Sequence, residues 1–362
     1  MAGMLLGLLA ALLAGCGSSQ SPTPPSHVTP APEGKPYDKL GQWHIFRDMK
    51  RQLPNDGVVP YEVNAPLYSD YANKHRFMVV PEGKKVGYDP TGDWKFPVGT
   101  ILVKTFGFLA DMRDPSKGER LIETRLLVHE STGWTAHTYL YNDAGTEAVN
   151  TVAGADVSVS WIDVHGKEQH NDYGVPNTND CQKCHGTGQK LDTLGGRTRQ
   201  LNLDHDYGDG PENEIGHMAS LGWFDKAPPP AAQRQTLVDP FGKAPLVDRA
   251  RAYLDSNCGH CHTKGGGATQ SALRLAYGDT DPVAGDPTSW GVCKLPTSAG
   301  GATCGLTLDV VPGSPDQSVM ICRISATDPK VRMPPLGSRM PHSEGIQLIR
   351  DWITAMTPAG CN

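Results

Sequence analysis

The chain has 362 residues, 38 % of them hydrophobic, enough to bury more than one core and to predict two or three domains. Its formal net charge is -6, with Lys and Arg scattered rather than gathered into a stripe, so nucleic acid is excluded as the expected partner. The 41 glycines and 30 prolines, with only 7 % aromatic residues, put much of the length into turns, short strands and loops.

Residues 1–16 read as a lipoprotein signal peptide. The apolar run from Met4 to Ala14 is too short to span a bilayer as a helix and ends in Leu13-Ala14-Gly15-Cys16. That ending resembles the lipobox of bacterial lipoproteins, in which the signal is removed before an acylated Cys; no Lys or Arg precedes the run. The expectation is an exported protein tied to a bacterial membrane through lipid on Cys16, in the periplasm or at the outer membrane. Residues 17–36 are rich in Ser and Pro without apolar periodicity and read as a flexible linker.

From residue 37 to 176 the pattern predicts a β-rich domain, an antiparallel meander or sandwich. Strands are expected at Thr100 to Phe108, Arg120 to His129, Trp134 to Tyr141 and Val157 to Val164, separated by turn residues. Residues 177–225 change to polar and Gly-rich character around CQKCHGTGQ, with a short helix expected over Asn213 to Leu221. A Pro-rich linker, 226–246, precedes a final unit, 247–362. That unit opens with a helical pattern running into NCGHCH and closes with Ile346, Ile349, Trp352, Ile353 and Met356 at helical spacing. The fold class expected is therefore multidomain: the β-rich domain, then mainly α cytochrome c-like domains.

Two stretches match Cys-x-x-Cys-His: Cys181, Cys184 and His185, and Cys258, Cys261 and His262. This spacing is that of c-type heme attachment. Residues three and four apart share a helical face, so two thiols can bond the porphyrin edge while the next imidazole faces iron. The cofactors expected are two covalently bound hemes c, with His185 and His262 as axial ligands. Zinc ribbons place their paired knuckles about 15–20 residues apart, whereas Cys184 and Cys258 are 74 positions apart. No βαβ pattern supports a thioredoxin-type dithiol.

For the second iron the sixth ligand expected is Met333 in Val331-Arg332-Met333-Pro334, with Met340 and His342 as alternatives. His260 reads as a spacer. For the first iron no Met-Pro loop follows, and the candidates are Met218, tentatively, then His217, His205 and His170, or an open position. The remaining thiols, Cys293, Cys304, Cys322 and Cys361, are even in number, which suggests disulfides with three connectivities open. Cys293 with Cys304 is the local choice, leaving Cys322 with Cys361.

At these motifs the chain resembles a family of bacterial diheme c-type cytochromes of unassigned function, with a β-rich part ahead of two heme sites. The segments that carry the resemblance are 64–77 (NAPLYSDYANKHRF), 96–106, 120–128, 175–186, 251–262 and 310–318 through Met333-Pro334-Pro335. The resemblance implies heme binding and electron transfer with redox partner proteins, and names no substrate. Two other functions compete with electron transfer. One is a heme enzyme resembling a diheme peroxidase, with an open first iron; no catalytic residue is assignable for it. The other is a substrate-binding β domain wired to the hemes, with Glu123, Arg125, Trp134 and His137 as its polar and aromatic strand residues.

Overall fold

The structure is a computed structural model that describes residues 26–187, 190–297, 303–358 and 360–361. Cys16 and the signal segment lie outside the described residues, as does the linker up to residue 25. No helix among the described residues is long and apolar enough to cross a membrane.

The chain opens with a small antiparallel pair, β1 (Phe46–Asp48) and β2 (Leu53–Pro54). A six-stranded sheet follows as a meander in the order β3 (Val59–Pro60), β4 (Asn73–Val79), β5 (Ile101–Leu109), β6 (Glu119–Glu130), β7 (Gly133–Tyr141) and β8 (Ala148–Asn150). A separate antiparallel hairpin joins β9 (Ala155–Ile162) to β10 (Glu168–Val175). Two short ladders come next, β11 (Gly186–Thr187) with β12 (Lys190–Leu191) and β13 (Asp204–Asp206) with β14 (Pro211–Asn213). The α-helices are α1 (Thr178–His185), α2 (Thr198–Leu201), α3 (Glu214–Ser220), α4 (Leu246–Leu254), α5 (Val319–Ser325) and α6 (Ser343–Thr354).

The central strands β5 and β6 bury successive residues because both sheet faces are covered. On one face Phe77, Val103, Leu126 and Tyr139 pack against Leu40, Trp43 and Ile45 from the N-terminal segment. The other face carries two apolar clusters. Toward one end Met78 and Leu102 meet Trp94, Leu201, Ile215 and Met218; toward the other Phe106, Phe108 and Ile122 meet Trp161 and Tyr173 of the hairpin. Between these clusters the register places a polar belt on the same face. Arg76 lies opposite Lys104, Lys104 opposite Arg125 and Arg125 opposite Thr138, with Lys74 and Glu123 flanking Phe106.

The expectation of mainly α cytochrome c-like domains is corrected here: the molecule is mostly sheet, 26 % strand against 21 % helix, with six short helices among the described residues. In the final unit α4, α5 and α6 have 9, 7 and 12 residues. The described residues between α4 and α5 form only a π turn at Asp255–Gly259 and three-residue 3-10 turns. That stretch holds Gly265, Gly266, Gly267, Pro282, Pro287, Pro312 and Pro315, and neither residue type sustains a helix interior. The β-rich part has the strands expected near residues 101–109, 119–130, 133–141 and 155–162.

The Pro-rich segment 226–246 is packed: Leu237 is buried with Ala65 and Ala252, and its backbone N–H donates to the Arg199 carbonyl at 2.7 Å. Near the sheet, the wholly buried Glu214 accepts from the Glu62 backbone N–H, while its other carboxylate oxygen has no hydrogen-bond partner. Burial lifts this carboxyl from 4.5 to about 8. The folded chain therefore keeps a proton that the unfolded chain releases, and stability falls as pH rises from about 4.5 to about 8. Glu214→Gln is expected to flatten this slope, read from urea midpoints at the two ends of that window; an unchanged slope would assign the dependence to another group.

Candidate functional site

The first motif sits on α1, which a reciprocal cap starts: the Asn177 side chain accepts from the Asp180 N–H at 3.1 Å, and the Asp180 carboxylate accepts from the Asn177 N–H. Two turns later His185 turns its Nδ1 to the Asp192 carbonyl at 3.1 Å. A carbonyl only accepts, so Nδ1 carries the proton and Nε2 keeps its lone pair. Burial pushes the imidazole down to about 4, so it is neutral at pH 7.

The second motif follows α4 through the π turn. Buried Asp255 holds that turn by accepting from Arg199 and from the Tyr277 N–H at 2.9 Å. The Cys258 carbonyl accepts from the N–H groups of Cys261 and His262. His262 Nδ1 lies 3.2 Å from Ser271 Oγ. The Ser271 hydroxyl donates to the Ala268 carbonyl at 2.7 Å. It therefore accepts from His262, again leaving Nε2 unprotonated. Burial lowers this imidazole to about 4 as well and raises the Cys258 thiol to about 12.

Two adjoining cavities open at the second motif. One, of about 740 Å³ including its mouth, is bounded by Leu254, Leu273, Met320 and Ile349. The other, of about 790 Å³, reaches Tyr68, Cys261 and His342. Cys258, His262 and Met333 line both. A thiol, an imidazole with a free Nε2 and a thioether thus border mainly apolar space, a donor set that fits a porphyrin and its iron. Met333 is set by its backbone N–H donating to the Arg323 carbonyl at 2.8 Å.

The two motifs meet. The sulfurs of Cys184 and Cys261 and a ring nitrogen of His260 lie within 4.8 Å of one another. The hydrogen bond between the sulfurs holds the Cys184 thiol down, to about 4, and pushes Cys261 up, as expected for a thiolate beside a thiol, and His260 adds to the lowering. His260, a spacer in the sequence reading, thus stands at the junction.

The other candidates have different surroundings. Met218 is fully buried among Met78, Trp94 and Ile215, a packing environment. His217 bonds Glu212 at 2.9 Å and stacks on Tyr207; His205 lies 4.0 Å from Glu214; His170 bonds Ser160 at 2.7 Å on the hairpin. His342 stacks on Tyr68 and lines the second cavity, and Met340 packs against the hairpin cluster. Trp134 stacks on His129, and His137 bonds Thr135. Glu123 is wholly buried, paired with Arg125 at 2.8 Å and accepting from Tyr173 Oη at 2.7 Å.

The four remaining cysteines pair as Cys293–Cys361 and Cys304–Cys322, with Cα separations of 5.1 and 6.5 Å. The local pairing of Cys293 with Cys304 is replaced. The 3-10 turn Thr303–Gly305 packs on α5, which carries Cys322, and the chain after α6 returns Cys361 to Cys293.

Residues found only in the structure are the belt lysines and Asp70. Burial and the neighbouring Arg76 and Arg125 push Lys74 down to about 7, and burial lowers Lys104 well below its ordinary value. No family model, curated protein or solved structure matches this chain. The fold and site define a sheet protein in which two Cys-x-x-Cys-His loops abut.

Asp70 ties the sheet unit to the loop between Met333 and α6. Its carboxylate accepts from Ser338 Oγ, the N–H groups of Arg339 and Met340, each at 2.8 Å, and Asn171 at 3.0 Å. Asp70→Ala leaves these buried donors unpaired and is expected to cost about 3 kcal/mol, measured by urea unfolding. A change under about 0.5 kcal/mol would contradict the role given to this carboxylate.

Proposed function

We propose that this chain is a diheme electron-transfer protein, acting outside the cytoplasm with redox partner proteins. The observation that carries the reading is that His262 with a free Nε2, Met333 with its thioether and Cys258 line the same two cavities. Cys181 and Cys184, then Cys258 and Cys261, would hold the porphyrin edges, and His185 and His262 would face iron. When bound, the hemes supply one-electron redox centres whose potentials follow their axial ligands and burial. The chain's own groups orient both imidazoles through the Asp192 carbonyl and Ser271, and exclude water at the second site through Leu254, Leu273 and Ile349.

Contact between the motifs supports transfer from one centre to the other, because their sulfurs adjoin. Export is supported by the two disulfides, which suit an oxidising compartment, and by the apolar run ending at Cys16. The resemblance to bacterial diheme c-type cytochromes points the same way.

One observation favours a second reading. Cys184, His260 and Cys261 offer three donors within 4.8 Å, a set suited to zinc. Stoichiometric zinc, lost in His260→Ala, would support it.

The test is visible absorbance of the denatured chain after maturation in a host competent for cytochrome assembly. Wild type is expected to retain two hemes, and Cys181→Ala/Cys184→Ala and Cys258→Ala/Cys261→Ala one each; pigment unaffected by both double substitutions would refute the attachment. Met333→Ala is expected to lower the potential of the second heme substantially, since Met ligation raises it. An unchanged redox titration would remove Met333 from the assignment.

A further inference from the structure

The polar belt is an unusual use of a sheet face. Directly opposed residues on neighbouring strands have Cβ atoms about 5 Å apart, and like charges there repel. Arg76, Lys104 and Arg125 nevertheless stand in consecutive register across β4, β5 and β6, with Lys74 beside them on β4. Two of the four cations are neutralised: Arg76 by Glu62 at 2.6 Å and Arg125 by Glu123 at 2.8 Å. Among the described residues Lys74 donates only to the Ala72 carbonyl. Lys104 Nζ has no hydrogen-bond or ion-pair partner among the described residues and lies 5.0 Å from the centre of the Phe106 ring. The belt thus holds, between two apolar clusters, two amino groups without a salt-bridge partner among the described residues, both pushed toward the neutral form by burial and by the neighbouring cations.

Its position ties it to the first motif. α1 and β12 pack on β7, next along the sheet, and the charges of Lys104 and Arg125 act on His185. The charge of Lys74 acts on His342, which lines the cavity of the second motif. A buried amino group without an anionic partner gives up its proton rather than carry an unpaired charge, and an anion restores it. Burial and the adjacent cations lower both lysines, so without an anion they are shifted toward neutral amines.

We propose that Lys74 and Lys104, flanked by Arg76 and Arg125, form an anion-binding subsite that takes a molecule with two carboxylates beside His185. Two carboxylates would draw protons onto both amino groups and pair with them, and Arg125 and Arg76 stay available as additional donors. The carboxylates have two sources: the propionates of a heme held by the first motif, or a free dicarboxylate that docks there. The first source rests on the diheme reading; the subsite itself does not.

The experiment uses the full chain as purified, in wild-type, Lys104→Met, Lys74→Met and Lys104→Arg forms. Each is titrated with succinate by calorimetry and, where pigment is present, poised in a redox titration. If propionates occupy the belt, the first heme's midpoint potential falls in both Met variants, because a positive charge that favours the reduced centre is gone. It is restored in Lys104→Arg, and succinate does not bind. If a free dicarboxylate occupies it, succinate binds one to one and Lys104→Met weakens binding about tenfold or more, the loss of one charge-assisted contact. The proposal is overturned if the Met variants change neither the potential nor succinate binding. A chain without pigment refutes the diheme reading alone, and succinate binding then decides the subsite by itself.

Discussion

A sheet covered on both faces must give every strand side chain a neighbour, and the central sheet here does so unevenly. One face packs an apolar cluster against Leu40, Trp43 and Ile45, with the buried Thr105 and Thr124 bonded to each other; the other is divided by the charged belt. The apolar halves of that face anchor separate parts of the chain. The half around Met78 and Leu102 seats α3 and the segment carrying Trp94, and the half around Phe106 and Phe108 seats the β9–β10 hairpin. α1 and β12 pack on β7, and the final unit brings His260 and Cys261 against Cys184, where the two Cys-x-x-Cys-His motifs join.

Polar ties join the sheet to the final unit, beside the stacking of Tyr68 on His342 and the packing of Met340 on the hairpin. Asp70 gathers Ser338, Arg339 and Met340; the Tyr68 N–H donates to Asn257 one residue before Cys258; and Asp255 joins Arg199 to the Tyr277 backbone. Asp70 and Tyr71 hold left-handed backbone, with φ of 52° and 63°, which turns the chain between Tyr68 and β4. A few residues before β4 therefore set both the loop after Met333 and the turn before Cys258. This is a short path from sheet register to the spacing between an imidazole and a thioether.

Much of this was legible in the sequence. Four strands and the C-terminal helix follow from apolar periodicity, which reports burial directly. The motifs were legible because their spacing is local and helical. The mainly α final unit was not there to be found: its helical patterns at α4 and α6 are real, but the glycines and prolines between them keep the intervening chain in turns. The belt was half visible, since Lys104 interrupts the apolar run TILVKTFGF and Lys74 and Arg76 alternate on one strand. What no single strand discloses is register, and only register puts Arg76, Lys104 and Arg125 in a row. The same limit hid the disulfide pairing and the meeting of Cys184 with His260 and Cys261, which are contacts between segments 76 or more positions apart in one case and along a looped chain in the other.

The account depends on both thiol pairs being bonded to porphyrins, since the roles of Ser271, the Asp192 carbonyl and Met333 all derive from that. Mass spectrometry of the intact, unfolded and reduced chain, matured where cytochrome assembly operates, measures this bonding directly. The account predicts a polypeptide heavier by two porphyrins that persist through unfolding and reduction. A bare polypeptide mass, with all four motif thiols open to alkylation, would contradict it.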